Sequence, residues 1–284
     1  MLFTENDRII KEERPKFTLQ AHLDDTNRRI WVFHYSIKDR NYNLFVDYLF
    51  QTALRNDFSK IIIPAHEKDV DGLAARDFIP EARAEVFFAG QTAYFMSRYL
   101  SDKRRLSSRF PEEEKMLREI LQKPQVPKTK PGAQFELRRA TRDDIRDLAH
   151  LFDRVFETYP TPVNDPGYLK TAMDHGVIFR LAATGDSLAG AAAAEIDRYH
   201  KNAEMTDFAT LPAYRGRGLA GALLAALEED CRSMGIKCFY SLTRATSYGM
   251  NLVFHRAGYR YRGTMLNNAH IAGNWEDLHL WVKV

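Results

Sequence analysis

Tyr214-Arg215-Gly216-Arg217-Gly218-Leu219-Ala220-Gly221 joins a strand-like run, Glu204-Met205-Thr206-Asp207-Phe208-Ala209-Thr210-Leu211, to a strongly helical run ending at Met234. A glycine-rich bend ahead of a helix leaves the first backbone N–H groups without intrahelical partners, and the helix dipole adds partial positive charge at that end. Gly216 and Gly218 remove side chains that would hold a phosphate off the backbone, while Arg215 and Arg217 add full charges. A phosphate-bearing ligand is expected here.

Two spacings overlap in this stretch. Gly216-x-Gly218-x-x-Gly221 fits the dinucleotide fingerprint, which needs its first glycine directly after a strand and an acidic residue about 20 positions on. Pro212-Ala213-Tyr214-Arg215 intervene, and the next strand, Lys237 to Leu242, ends in Thr243 with no carboxylate. The other spacing is R-x-x-G-x-A on Arg215, Gly218 and Ala220, with Pro212 three residues upstream. It resembles the acyl-CoA pyrophosphate loop of the GNAT N-acetyltransferase superfamily. That resemblance implies acetyl-CoA as cofactor, held by Phe208, Ala209, Thr210, Arg215, Gly216, Arg217, Gly218, Leu219 and Ala220, with Ser247 and Phe254 from a later helix.

At 284 residues the chain has room for one large or two ordinary domains, and 45% hydrophobic residues fill a sizeable core. A formal net charge of +3 is too mild to point to nucleic acid or a membrane surface. The charged start, Met1-Leu2-Phe3-Thr4-Glu5-Asn6-Asp7-Arg8, has no signal-peptide core, and no apolar window approaches a bilayer span. Cys231 and Cys238, the two cysteines, are expected to be buried thiols in a reducing compartment. A cytoplasmic protein is the resulting expectation.

Along the first half, strands are expected near Lys16 to His22 and Ile30 to Tyr35, and a helix over Asn43 to Arg55 with Leu44, Tyr48, Leu49 and Ala53 on one side. Lys60 to Ile63 is a buried strand that Pro64 should stop. A helix near Asp69 to Ala75 and strands at Glu85 to Ala89 and Ala93 to Tyr99 follow. Asp102-Lys103-Arg104-Arg105 is expected as a solvated loop, and Pro111 to Leu121 as a charged helix. Residues 122–133, with Pro124, Pro127 and Pro131, are expected as a linker between an N-terminal domain (1–121) and a second domain (134–284).

The second half opens with strand Phe135 to Ala140 and a capping box on Thr141 and Asp144. A helix striped by Ile145, Leu148, Ala149, Phe152, Val155 and Phe156 follows, then a helix restarted at Asp165-Pro166. Strands Val177 to Thr184, Leu188 to Ile196 and Ala203 to Leu211 precede the glycine loop and its helix. Strand 237–242, a helix near Ser247 to Ala257 and strands Tyr259 to Leu266 and Leu278 to Val282 close the chain. This order resembles the GNAT architecture: an α/β (α+β) fold with a central mixed sheet. The order strand-helix-strand-strand over Lys60 to Tyr99 echoes residues 237–282 without any R-x-x-G-x-A before it. The first half is therefore expected to be a smaller, degenerate GNAT-like domain that binds no cofactor.

Acetylating an amine requires a neutral nitrogen, and an ε-amine of pKa near 10.4 is neutral in roughly one molecule in a few thousand at pH 7. A carboxylate base is therefore useful. Glu204 is the first choice and Asp207 the second; strict alternation puts them on opposite strand faces, with Thr206 and Phe208 beside Glu204. The family's last helix usually carries an acid, a tyrosine four residues before a Gly-Phe pair. Here the pair is Gly258-Tyr259, Phe254 holds the tyrosine position and Ser247 replaces the usual asparagine. Tyr248 and His255 are the side chains left to stand in, with water as the alternative.

Phe156-Glu157-Thr158-Tyr159-Pro160-Thr161-Pro162, Glu204 to Pro212, Ser247-Tyr248-Gly249-Met250-Asn251 and Gly263 to Gly273 are together similar to the β-lysine N-acetyltransferase family. The resemblance implies acetylation of the ε-nitrogen of β-lysine to Nε-acetyl-β-lysine, a compatible solute, and a functional link to a lysine aminomutase. It makes Glu157, Tyr159, Asn267 and Asn268 candidate contacts for a small-molecule amine. Another amine (a polyamine, an aminoglycoside, a protein lysine), a non-catalytic acyl-CoA-binding role and a homodimer stay open.

Overall fold

The computed structural model describes residues 8–127, 131–156, 161–185, 187–271 and 273–284. The first half runs β1 (Arg8–Arg14), β2 (Phe17–Asp24), β3 (Arg29–Ile37), α1 (Tyr42–Arg55), β4 (Lys60–His66), α2 (Val70–Ala74), β5 (Ile79–Phe88), β6 (Gln91–Tyr99), α3 (Asp102–Arg105) and α4 (Phe110–Leu121). The second runs β7 (Glu136–Arg139), α5 (Ile145–Val155), α6 (Pro166–Asp174), β8 (Ile178–Thr184), β9 (Ser187–Asp197), β10 (Asn202–Thr210), α7 (Leu219–Ser233), β11 (Cys238–Arg244), α8 (Tyr248–Arg256), β12 (Arg260–Ile271) and β13 (Asn274–Lys283). Among the described residues no helix is long and apolar enough to cross a membrane.

The strands form one sheet of thirteen, ordered β1-β2-β3-β4-β6-β5-β12-β13-β11-β10-β9-β8-β7. Each half has a parallel pair joined through a helix, β3 with β4 across α1 and β10 with β11 across α7. In each, the next two strands return as a hairpin, so β4-β6-β5 mirrors β11-β13-β12. The halves meet where Gly263 of β12 pairs with Ala82 of β5. Gly263 has φ +138, and a Cβ there would lie 2.2 Å from the Glu81 carbonyl oxygen. Gly263→Ala is expected to cost about 3 kcal/mol, combining backbone strain and overpacking. Thermal unfolding should show this as a Tm roughly 10 °C lower; an unchanged Tm would mean the seam tolerates a side chain.

Several local readings change in three dimensions. Pro64 does not end its strand: it pairs with Phe95 of β6 within β4. On its other side β3 and β4 pair only through Arg29–Lys60, Ile30–Ile61 and Trp31–Ile62, so no ladder bond is lost for want of an N–H. Where β3 and β4 diverge, the His66 N–H donates to the Tyr35 hydroxyl at 3.0 Å, and that hydroxyl donates to Asp69 at 2.9 Å. Leu44 is exposed, and Tyr42, Phe45, Val46, Leu49 and Ala53 form the buried side of α1. The Asp102-Arg105 run is the short helix α3 rather than a loop. Its Arg104 is buried, with the guanidinium 3.4 Å from the centroid of the Trp275 ring. Arginine buries its stem and satisfies its head on carbonyls and aromatic faces, which a count of charges does not foresee.

In the second half α7 packs Leu219, Leu223, Leu224, Leu227 and Cys231 against one sheet face. Helices α5 and α6 pack Leu148, Phe152 and Leu169 against the other. The capping box forms, with Asp144 accepting from the Thr141 N–H at 2.7 Å. Cys231 and Cys238 are free and buried. β12 and β13 run well past Leu266 and pair to Ile271 and Asn274, which puts Asn267 and Asn268 inside a strand rather than a loop.

Candidate active site

β10 and β11 pair at Asn202–Cys238, Ala203–Phe239 and Glu204–Tyr240, and then diverge, although β10 continues to Thr210 and β11 to Arg244. On its other side β10 stays on β9, but with a bulge: Thr206 pairs with Ala193 and Ala209 with Ala191, so Asp207 and Phe208 together oppose Ala192. Asp207 takes φ +53, a left-handed conformation that aspartate tolerates better than most residues. The extra residue reverses the alternation. Met205 and Phe208 pack on the α7 side, whereas Ala209 packs on the α5–α6 side. Glu204 therefore does not share its face with Phe208, and simple alternation from Glu204 does not locate Asp207.

The divergence opens into a cavity of about 810 Å³. One wall is the start of α7 with the loop before it, including Arg215, Gly216, Gly218, Leu219 and Ala220. Gly218 occupies the N-cap at φ +82 with no side-chain cap, so the first N–H groups of α7 are left for a ligand. Arg215 donates from Nε to the Thr210 carbonyl at 3.2 Å, which holds the loop against the end of β10. Phe208 and Thr210 line the same wall. Ala209 is buried beneath it, and Arg217 lies over the Tyr214 ring at 5.7 Å outside the lining. Uncapped N–H groups, two glycines without Cβ and an arginine suit a pyrophosphate, and the gap between β10 and β11 is open beside them.

Glu195, Glu204 and Asp207 all line this cavity. Glu195 is the register partner of Glu204 on β9. Burial pushes the Glu204 carboxyl up to about 7, and the neighbouring charges of Glu195 and Asp207 push the same way, against the hydroxyl of Tyr240, which hydrogen-bonds to it. A carboxyl set near neutrality exchanges protons readily at pH 7.

From α8 and the N-cap before it, Phe254 and Ser247 reach the cavity, and Phe254 packs edge-on against both Phe208 and Tyr259. Tyr248 does not: its hydroxyl donates to Glu119 of α4 at 3.3 Å, because the helix turns that side toward the preceding half. His255 is likewise turned away, with Nε2 at 2.8 Å from the Lys123 carbonyl. Asn267 spends its amide on the Arg104 and Leu106 carbonyls at 3.0 and 3.1 Å, which fixes α3 to β12. Asn268 is fully buried and outside the lining. The hairpin instead offers Ala269, Ile271 and Leu278 to the cavity. Glu157 and Tyr159 lie outside the described residues; Phe156 and Thr161, which flank them, line the cavity. Sequence reasoning missed Glu195, Asn27 and Arg29, and no motif marks them, because strand pairing and the first half of the chain bring them here.

The acetyltransferase (GNAT) family profile matches residues 143–259. N-acetyltransferase YodP of Bacillus subtilis is 35% identical over 260 residues, 92% of this chain and 94% of its own length. The chain belongs to the GNAT acetyltransferases. Two β-lysine N(6)-acetyltransferases, from Methanococcus maripaludis and Methanosarcina mazei, are 30% and 26% identical. They match 92% and 79% of this chain and 94% and 91% of their own lengths. This GNAT acetyltransferase is thus an enzyme that moves acetyl from acetyl-CoA to an amine.

Proposed function

We propose that the acceptor is β-lysine and the product Nε-acetyl-β-lysine. The observation that carries the reading is the likeness to the two β-lysine N(6)-acetyltransferases, which extends well beyond the residues of the family profile. The cavity supports it: three carboxylates stand near the divergence, and residues of the first half close the other side, as suits a small cationic acceptor. A product of this kind serves as a compatible solute made in the cytoplasm, downstream of a lysine aminomutase.

In this reading the uncapped start of α7, with Arg215, Gly216 and Gly218, holds the pyrophosphate of acetyl-CoA, and Phe208 and Thr210 guide the chain toward Glu204. Bound there, acetyl-CoA supplies an activated acyl group as a thioester. Glu204 accepts the proton that the acceptor ammonium loses before its nitrogen attacks. Burial, aided by the charges of Glu195 and Asp207, holds the Glu204 carboxyl near neutrality, and the two carboxylates favour a cation beside it. Phe254 has no hydroxyl, and Tyr248 and His255 are bonded elsewhere, so the proton for the departing sulfur comes from water.

The test is turnover of acetyl-CoA with a panel of amines. β-Lysine should exceed lysine, spermidine and an aminoglycoside in kcat/KM by about tenfold or more, the scale on which a fitted polar pocket discriminates. A polyamine or a protein lysine as best acceptor would replace the β-lysine reading, and binding of acetyl-CoA without turnover of any amine would replace the enzymatic one.

A further inference from the structure

The first half of the chain reaches the cavity through Asn27 and Arg29, at the turn from β2 into β3. Asn27 is committed to structure, since its Oδ1 accepts the His270 N–H at 2.7 Å and its Nδ2 donates to Asp24 at 2.8 Å. Arg29 has capacity left. Its Nε donates to Asp24 and its Nη1 to the Asn268 carbonyl, both at 2.8 Å, and among the described residues no partner takes Nη2. Arg104 lies in the same cluster, donating to the Asn27 carbonyl at 2.8 Å and to Ser59 at 3.0 Å. Its Nε is buried without a partner, and among the described residues it forms no ion pair. Of these two buried guanidiniums only Arg29 has a carboxylate partner, Asp24, and the buried Lys60 near them is already paired with Glu81 at 2.8 Å. An uncompensated buried charge is costly, so an anion arriving beside Arg29 is stabilised. Arg244, the other arginine at this end of the cavity, is already paired with Glu276 at 3.0 Å.

Between this cluster and Glu204 one wall of the cavity is apolar. Glu204 pairs with Tyr240, and alternation returns Leu242 to the same face of β11, where it packs with Ala269, Ile271 and Leu278. Arg29 is fixed to Asn268, next to Ala269. The cavity thus runs from carboxylates through aliphatic side chains to a guanidinium.

We infer that Arg29 binds the carboxylate of an ω-amino acid acceptor whose amine is presented at Glu204 and whose methylene chain lies on the Leu242–Leu278 wall. The first half of the chain is then part of the acceptor site and sets its selectivity for amino acids over simple amines. The inference rests on the proposed acetylation of a small amine and adds the group that reads the acceptor's far end.

The experiment compares β-lysine with its carboxamide and with 1,5-diaminopentane. In the unaltered enzyme kcat/KM for the acid should exceed that for the carboxamide by about 10–100-fold, as expected when a charge-assisted pair to arginine is lost. Arg29→Gln should bring that ratio near one by raising KM for the acid, with kcat/KM for the diamine changed less than about threefold. Arg29→Lys keeps a cation against Asp24, protecting the fold, and should retain part of the preference. Equal turnover of acid and carboxamide by the unaltered enzyme overturns the inference, as does an unaltered ratio in Arg29→Gln. Failure of the underlying reading looks different: the unaltered enzyme then acetylates none of the three compounds, and both proposals fall.

Discussion

Glu204→Gln is expected to lower kcat at pH 7 by about 10²–10⁴, the usual worth of a general base, while acetyl-CoA affinity barely moves. The pH profile separates this from a loss of shape. Burial and the charges of Glu195 and Asp207 set the Glu204 carboxyl to about 7. A base works ionised, so kcat/KM of the unaltered enzyme should rise with pH through about 7 and fall roughly tenfold per unit below it. In Glu204→Gln that limb disappears, and the residual rate climbs at high pH as more amine becomes neutral. Asp207→Asn and Glu195→Gln each remove a charge that raises the carboxyl, so each should move the limb to lower pH. Because Asp207 lines the same cavity as Glu204, it is no silent control. Steady-state rates from pH 5 to 10 decide the matter; if all three variants stay within a few-fold of the parent with the limb in place, water deprotonates the amine and these carboxylates are not the base.

Arg215→Ala combined with Gly218→Asp should weaken acetyl-CoA binding by roughly 100-fold or more, since a favourable charge is replaced by a carboxylate at the helix start. Gly218 sits at φ +82 and aspartate tolerates that conformation, so the fold should survive the change. Titration calorimetry with acetyl-CoA, alongside circular dichroism of the double variant, reads both quantities. Undiminished affinity in a folded double variant would remove the loop from the cofactor site.

Features that depend only on near neighbours are legible in the sequence. The step from strand to glycine-rich bend to helix is one of them, and Gly216 and Gly218 do take positive φ values where the loop meets α7. The Thr141–Asp144 box spans three residues and closes as its spacing implies. The order of elements that repeats over β4 to β6 and β11 to β13 is visible for the same reason, as each element carries its own periodicity. Sequence and structure part where a residue's setting depends on distant chain. Arg104 belongs to a run of charges that suggests solvent, yet β12 and β13 bring Trp275 over it. Tyr248 and Asn267 carry groups suited to a site, but α4 and α3 claim them first.

By itself the sequence determined the glycine-rich bend ahead of α7, the succession of strands and helices, and the residue types from which an acetyltransferase is built. Tertiary structure alone decided which of those residues face one another. The bulge opposite Ala192 reverses strand alternation after Thr206, a shift set by pairing with β9 and invisible in β10 alone. The Glu204 carboxyl moves toward neutrality because burial and a register partner surround it, and neither is a property of the strand that carries it. Arg29 joins the cavity because β2 and β3 lie against a hairpin 239 positions along the chain, a contact fixed by sheet assembly and buried charge rather than by local sequence.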